Sequence, residues 1–174
     1  TINLVANKTY DGTTNISGSQ LTLTGVTVNG TVQTLSYSGA IANSSNVSTA
    51  NKYLTTITLL NATDGSGGLA SNYILPSLSV ANANNAVTIN PKTVALSASM
   101  TYSGDINLSG AVRITTGVVI NGLEQTLTYT GALASDANVL TSNKFISALT
   151  LANGSGYASN YRLPTLNVAN APVT

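Results

Sequence analysis

The chain has 174 residues, of which 43% are hydrophobic and only 6% are charged, and its formal net charge is +1. It contains no His, Cys or Trp, so it lacks the side chains that most often act as catalytic bases, nucleophiles and metal ligands. The near-neutral charge balance argues against a nucleic-acid-binding surface, and no apolar run approaches the about 20 residues of a membrane-spanning helix.

The chain begins with a pattern typical of a β-strand. In residues 1–7 apolar and polar side chains alternate, which predicts a strand with one buried face. Asp11 and Gly12 then predict a turn, because Gly adopts a positive φ at no steric cost and Asp can hydrogen-bond the backbone two residues on.

A hairpin is predicted over residues 20–38. The dipeptide Asn29-Gly30 is a strong signal for a two-residue turn between antiparallel strands. The apolar alternation changes phase at Gly25, which predicts a bulge or a bend in the first strand of the hairpin.

The rest of the first half predicts further short strands. Residues 52–60 predict a central strand, and residues 73–80 predict an edge or bulged strand, because Pro76 cannot donate to a ladder. Residues 86–89 complete the pattern. Residues 44–51 are the only segment in which we expect a helical turn, so the sequence predicts an all-β fold.

The second half of the chain repeats the first at an offset of 92 residues. Matching pairs are Tyr10 and Tyr102, Gly12 and Gly104, Gly25 and Gly117, Gly30 and Gly122, Tyr37 and Tyr129, and Lys52 and Lys144. The offset falls to 88 residues at Tyr73 and Tyr161, so the second copy is shorter in the loop that holds Asp64 in the first. The sequence therefore predicts a tandem of two similar units.

We assign the first unit to residues 1–91 and the second to residues 92–174. About five to seven short strands in each unit predict an Ig-like or β-grasp-like sandwich. The short linker around Pro91 restricts rotation, which predicts a semi-rigid rod. Both ends of the chain fall at the same place in the repeat, so we interpret the chain as two links of a longer array.

Several segments resemble the YDG and related MBG repeat domains of bacterial surface proteins. The resemblance rests on residues 8–14, 46–47, 51–52, 71–75 and 89–93 and extends over the whole chain. Such repeats occur in filamentous-haemagglutinin-like adhesins exported by two-partner secretion in Gram-negative bacteria, which implies a secreted protein at the cell surface. The lack of Cys is by itself compatible with an exported or a cytosolic protein.

The resemblance implies a structural role. The expected function is a stalk or spacer segment of a large adhesin that projects a binding head from the cell surface, with neighbouring repeats of the same chain as partners. One alternative is an adhesive module that itself binds a host glycan or protein. Another is homophilic association between arrays through exposed strand edges.

We expect neither enzymatic activity nor a cofactor or metal. The five acidic residues are spread over loops and strands rather than paired, whereas catalysis by two carboxylates requires that they converge. The segment that starts at Asp64 supplies one carboxylate, which is fewer than a calcium site usually contains.

A sharper hypothesis is a self-formed isopeptide bond, in which a buried Lys amine attacks an Asn or Asp side chain beside a carboxylic acid. The candidate residues are Lys8 and Lys52 for the amine, Asn46 and Asn72 for the amide, and Asp11 for the acid.

One observation favours a purely structural interpretation of Lys8 and Asp11. The second copy has Met100 and Ser103 at the positions of Lys8 and Asp11, so a turn that needs only Tyr and Gly persists without them. For Lys52 and its counterpart in the second copy, the alternative is a strand position with the ammonium group in water.

Tyr157, which stands where the first copy has Leu69, is the aromatic residue least constrained by the repeat and the candidate ligand contact. Two repeated pairs, Tyr37 with Tyr129 and Tyr73 with Tyr161, are interpreted as half-buried packing residues rather than sugar-stacking platforms. Asn-x-Ser/Thr motifs are candidate glycosylation sites, although chance explains most of them in a chain this rich in Asn, Ser and Thr.

Overall fold

The computed structural model describes the backbone of residues 1–174 and every side chain except that of Thr24. The chain divides into two compact units, Thr1–Asn90 and Pro91–Thr174. Both units are all-β: short strands are joined by turns and by 3₁₀ helices of three residues, and the described backbone contains no α-helix. Among the described residues, no helix is long and apolar enough to span a membrane.

The first unit has seven strands in its described backbone. They are β1 (Leu4–Thr9), β2 (Asn15–Ile16), β3 (Thr24–Val28), β4 (Thr31–Thr34), β5 (Ser36–Ala42), β6 (Leu54–Leu60) and β7 (Asn85–Asn90). β1 pairs in parallel with β7, β5 lies between β2 and β6 in an antiparallel sheet, and β3 and β4 form a hairpin. Short 3₁₀ helices span Gly18–Gln20 and Ala70–Asn72.

The second unit has eight strands in its described backbone, one more than expected, because the repeat is divided there into several strands of two residues. They are β8 (Lys92–Thr93), β9 (Ala95–Ala98), β10 (Val112–Thr115), β11 (Val119–Ile120), β12 (Leu123–Glu124), β13 (Leu127–Ala134), β14 (Ile146–Asn153) and β15 (Tyr161–Arg162). β9 pairs with β10, β11 with β12 and β13 with β14, all antiparallel, whereas β8 and β15 are parallel.

Each unit has an apolar core because successive side chains of a strand point to opposite faces of the sheet. In β1, Leu4 and Ala6 are fully buried while Val5 between them is exposed. In β9 of the second unit, Leu96 and Ala98 are buried in the same alternating pattern. The alternation predicted for residues 1–7 is therefore confirmed, although the strand begins at Leu4 and continues to Thr9.

The hairpin predicted over residues 20–38 is confirmed, although its strands span residues 24–34 only. In the first unit Val28 pairs with Thr31, so the turn contains Asn29 at φ 49° and Gly30 at φ 80°. The second unit has the same turn at Asn121-Gly122, with φ values of 52° and 81°. Two consecutive positive φ values are what the two-residue turn matching the right-handed twist of the strands requires.

The predicted bulge is also confirmed, since the register of the hairpin shifts between Thr24 and Thr27. The tertiary structure explains why the residue there is Gly25. A Cβ atom at this position would clash with the hydroxyl group of Tyr73 and lie 2.9 Å from the carbonyl oxygen of Gln33.

The prediction of a strand over residues 73–80 is wrong, because this segment of the described backbone is irregular. Pro76 lacks an N–H to donate. In addition, the carbonyl of Ser77 accepts a hydrogen bond of 2.9 Å from the Asn85 side chain rather than from a neighbouring strand.

Two further expectations require correction. Residues 52–60 do not form a central strand: β6 begins at Leu54 and lies at one end of its sheet, with β5 at the centre. Residues 44–51, the only segment in which we expected a helical turn, form a hydrogen-bonded turn at residues 47–48 but no helix, whereas Gly18–Gln20 and Ala70–Asn72 are 3₁₀ helices. Carbonyl groups of this loop instead bind the ammonium group of Lys52.

Candidate functional site

The structure brings two of the predicted isopeptide residues together, Lys8 and Asp11. The Lys8 side chain is fully buried, and its Nζ lies 2.7 Å from Asp11 Oδ1. The same Nζ donates to the carbonyl oxygens of Thr13 at 3.2 Å and Asn15 at 2.8 Å. Burial raises the pKa of Asp11, but hydrogen bonds from Lys8 and Thr13 outweigh it and hold this pKa below its ordinary value. The Asp11 carboxylate is therefore ionised near neutral pH.

The candidate amides lie elsewhere. Asn72 is exposed and ends the second 3₁₀ helix of the first unit, where its N–H donates to the carbonyl of Leu69. Asn46 is half-buried in the loop after β5, where its N–H donates to Ser44 Oγ at 3.1 Å. Within the described part of the chain, the partners of the Lys8 ammonium group lie in residues 11–15.

The second candidate amine, Lys52, stabilises a loop. It is 9% exposed, and its Nζ donates to the carbonyl oxygens of Val47 at 3.0 Å and Thr49 at 2.5 Å. The alternative interpretation, an ammonium group in water, is therefore wrong for Lys52, and burial lowers its pKa. In the second unit Lys144 binds the equivalent loop, with a shortest bond of 2.7 Å to Thr141 O.

Tyr157, the candidate ligand contact, is 60% exposed and directly precedes the 3₁₀ helix Ala158–Asn160. Its carbonyl accepts a hydrogen bond of 3.0 Å from the Asn160 N–H. Leu69 occupies the equivalent place in the first unit and is also exposed. The position thus presents a large side chain to solvent in both units.

Other repeated tyrosines fix backbone segments. The Tyr73 hydroxyl donates to Gln33 Oε1 at 3.1 Å and accepts from the Val26 N–H at 3.1 Å. In the second unit Tyr161 donates to Gln125 Oε1 at 2.5 Å. These contacts support the interpretation of the pair as packing residues.

The sequence did not predict a cleft of about 510 Å³ in the first unit. It lies between residues 16–23 and residues 34–39, with residues 63–64 at its edge. Its floor consists of buried apolar side chains, and Ser and Thr hydroxyls line its walls. The Tyr37 hydroxyl donates across it to the Gly18 carbonyl at 2.9 Å, and burial raises the pKa of Tyr37.

Asp64 is the ionised residue among those described as lining this cleft. Its Oδ2 lies 2.5 Å from Thr34 Oγ1, and its Oδ1 accepts from the Ser66 N–H at 3.0 Å. These hydrogen bonds, that from Thr34 first, lower the pKa of Asp64 from 3.8 to about 2. The carboxylate is thus held in one orientation and charged at physiological pH. No group of three acidic residues that could hold a metal ion occurs in the described structure.

The second unit has a cleft of about 310 Å³ at the corresponding place. Tyr129 replaces Tyr37 there, and its hydroxyl donates to the Leu108 carbonyl at 3.1 Å and accepts from the Val112 N–H at 3.0 Å. The described lining of this cleft contains no carboxylate. In the shorter loop Ser155 Oγ accepts from the Thr126 N–H at 2.8 Å, as Ser66 Oγ accepts from the Thr34 N–H at 2.9 Å in the first unit.

Sequence reasoning missed the cleft because its walls come from segments that pair with different strands. One signal was available: Gly18 and Tyr37 recur together as Gly110 and Tyr129. The recurrence could have predicted that this tyrosine contacts the loop after β2, but not that a cavity lies beside it.

Comparison with known proteins identifies part of the chain. Residues 1–83 match the family model of the YDG domain, so a YDG domain is present in the first unit. No curated protein and no solved structure matches the chain.

Proposed function

We propose that this chain is a structural repeat segment, a stalk or spacer, of a large secreted adhesin of the filamentous-haemagglutinin type. The adhesin would be exported by two-partner secretion to the surface of a Gram-negative bacterium, where the segment projects a binding head. The YDG domain over residues 1–83 supports this role through the resemblance of such domains to adhesin repeats. Each unit would be an Ig-like or β-grasp-like sandwich whose partners are neighbouring repeats.

One observation carries the proposal: two pairs of polar side chains that the copies share form hydrogen bonds inside their own unit. Lys52 and Lys144 donate to carbonyl groups of the loop that precedes each of them. Tyr37 and Tyr129 donate to backbone carbonyls of their own units. Side chains that form internal hydrogen bonds stabilise the fold of each copy. They are not free to form a recognition surface common to both copies.

A binding screen of the folded chain tests this role. The chain would be applied at micromolar concentration to host-cell surfaces and to immobilised host proteins, and its folding and monomeric state would be measured in parallel. A spacer gives no saturable binding at this micromolar concentration. Saturable micromolar binding that is lost in Tyr157→Ala would contradict the spacer role and favour an adhesive module.

The cleft of the first unit favours a second candidate function, a module that binds a ligand itself. The cleft is a concave site with an apolar floor and convergent polar groups, as small-molecule sites usually are.

A further inference from the structure

The cleft of the first unit combines two kinds of surface. Leu21, Leu23 and Leu35 form an apolar floor, and each is at most 8% exposed. Hydroxyl groups of the walls and the carboxylate of Asp64 surround this floor. A ligand that fills the cleft displaces water from both surfaces. It must therefore present an apolar face to the leucines and hydroxyl groups that replace the hydrogen bonds of the displaced water.

The charge of the cleft limits the classes of ligand that it can bind. No Lys or Arg is among its described lining residues, and Asp64 contributes a negative charge. Phosphorylated ligands, sialic acids and uronic acids would meet this carboxylate without a compensating cation, so they are disfavoured. A wholly apolar ligand is disfavoured too, because it would cut the carboxylate off from water without replacing its hydrogen bonds.

A neutral pyranose sugar meets both demands. Its C–H face can pack on the leucines and on the ring of Tyr37, and its hydroxyls can donate to Asp64. Because Thr34 and Ser66 already hold Asp64, the acceptor needs little reordering when a ligand arrives. The volume of about 510 Å³ lies within the about 300–1,000 Å³ of ordinary ligand sites.

We propose that the cleft between residues 16–23 and 34–39 binds a neutral hexopyranose, with Asp64 as hydrogen-bond acceptor and Tyr37 as stacking surface. This site goes beyond the spacer role and is independent of it, since a spacer can carry a weak sugar site. The cleft of the second unit lacks the carboxylate and should not bind the same ligand.

The test is a titration of the intact two-unit chain with sugars, monitored by ¹H–¹⁵N correlation spectra. The probes are glucose, galactose and mannose, their methyl glycosides, and glucuronate as the anionic comparison. We expect at least one neutral sugar, at millimolar concentration, to shift the amide signals of Tyr37, Ser38 and Asp64, and glucuronate to leave them unchanged. Shifts with methyl glycosides identify the end of a glycan as ligand, whereas shifts with free hexoses alone identify a soluble sugar.

Two variants and one control complete the test. Asp64→Asn should weaken binding about tenfold, as the loss of one charge-assisted hydrogen bond would. Ser38→Trp should abolish binding, because Ser38 is exposed and lines the cleft. Asp136→Asn is the matched control, since Asp136 likewise accepts from a backbone N–H and a Thr hydroxyl but lies in the second unit.

The folded state of each variant is read from the same spectra, so a loss of binding is not confused with unfolding. If no neutral sugar shifts the cleft signals, or if both cleft variants bind like the parent chain, the proposal is overturned. Preferential binding of glucuronate would overturn it as well. None of these outcomes affects the screen that tests the spacer role.

Discussion

The side-chain amide of Asn85 pairs with both backbone groups of Leu54. Its Oδ1 accepts from the Leu54 N–H at 2.8 Å, and its Nδ2 donates to the Leu54 carbonyl at 3.0 Å. Both residues are fully buried. In the second unit Ile146 and Ala171 stand at the positions of Leu54 and Asn85. There the N–H of Ile146 donates to the backbone carbonyl of Ala171 at 2.8 Å instead of to a side chain. One amide side chain thus replaces part of a strand ladder.

Asn85→Ala should therefore destabilise the first unit strongly. The substitution leaves two buried backbone groups without partners, and each costs about 1–3 kcal/mol, so we expect a loss of about 2–6 kcal/mol. Urea denaturation followed by circular dichroism measures it. Asn84→Ala is the control, since the neighbouring Asn84 side chain is exposed and should change stability by no more than about 0.5 kcal/mol. Equal losses in the two variants would show that the Asn85 amide has no special role.

The ion pair of Lys8 and Asp11 predicts a non-additive pair of substitutions. Asp11→Ser alone leaves a buried ammonium group without its carboxylate. We expect a loss of about 1–3 kcal/mol, below the about 3–5 kcal/mol of a fully buried pair, because Asp11 keeps about half of its surface in water.

The second unit suggests the compensating change, since it has Met100 and Ser103 at these positions. Adding Lys8→Met to Asp11→Ser removes the uncompensated charge, so the double variant should be more stable than Asp11→Ser alone. Urea midpoints of the parent, the single variants and the double variant test the coupling. A double variant whose loss equals the sum of the single losses would argue against a coupled pair.

The contacts of Lys8 also predict whether the chain contains an isopeptide bond. Lys8 faces an ionised carboxylate and backbone carbonyls rather than the amides of Asn46 or Asn72, so we expect no isopeptide bond. Intact-mass spectrometry should give the mass of the unmodified sequence. A deficit of one water would reveal an amide between Lys8 and Asp11, and a deficit of one ammonia would reveal a bond to an asparagine.

Acid should destabilise the chain through carboxylates whose pKa is lowered by folding. The pKa of Asp64 falls from 3.8 to about 2, and those of Asp11, Glu124 and Asp136 are also lowered. Such a group stabilises the fold while it is ionised, so its contribution is complete above its unfolded pKa and is lost as pH falls through the folded pKa.

Urea midpoints should therefore decrease between pH 3.8 and about 2, the range given by the two pKa values of Asp64. Asp64→Asn should show a shallower decrease over the same range, since one of the four groups no longer titrates. Parallel pH profiles of the variant and the parent would mean that the hydrogen bonds to Asp64 contribute nothing to stability.

Local signals in the sequence predicted local structure well. Asn29-Gly30 carries its own backbone preference, so the hairpin followed from two residues, and the phase change at Gly25 located the bulge. By contrast, the parallel pairing of β1 with β7 joins residues about 80 positions apart, and no local pattern specifies it. The role of Asn85 depends on a strand about 30 positions earlier and was equally hidden.

The candidate site was predictable only in part. Lys8 and Asp11 are close in sequence, so their contact followed from a short turn. Lys52 was misinterpreted, because its burial depends on how the preceding loop folds back over it. The cleft beside Tyr37 was missed, because a cavity arises from the spacing of segments and not from the composition of any one of them.

The most direct test of the proposed spacer role is a display experiment on a bacterial surface. One, two or four copies of this two-unit chain would separate a binding domain of known specificity from the outer membrane of encapsulated cells, and adhesion to the immobilised ligand would be counted. A spacer predicts that adhesion rises with copy number and that the copies without the binding domain do not adhere. Adhesion that is independent of copy number, or that persists without the binding domain, would contradict the account.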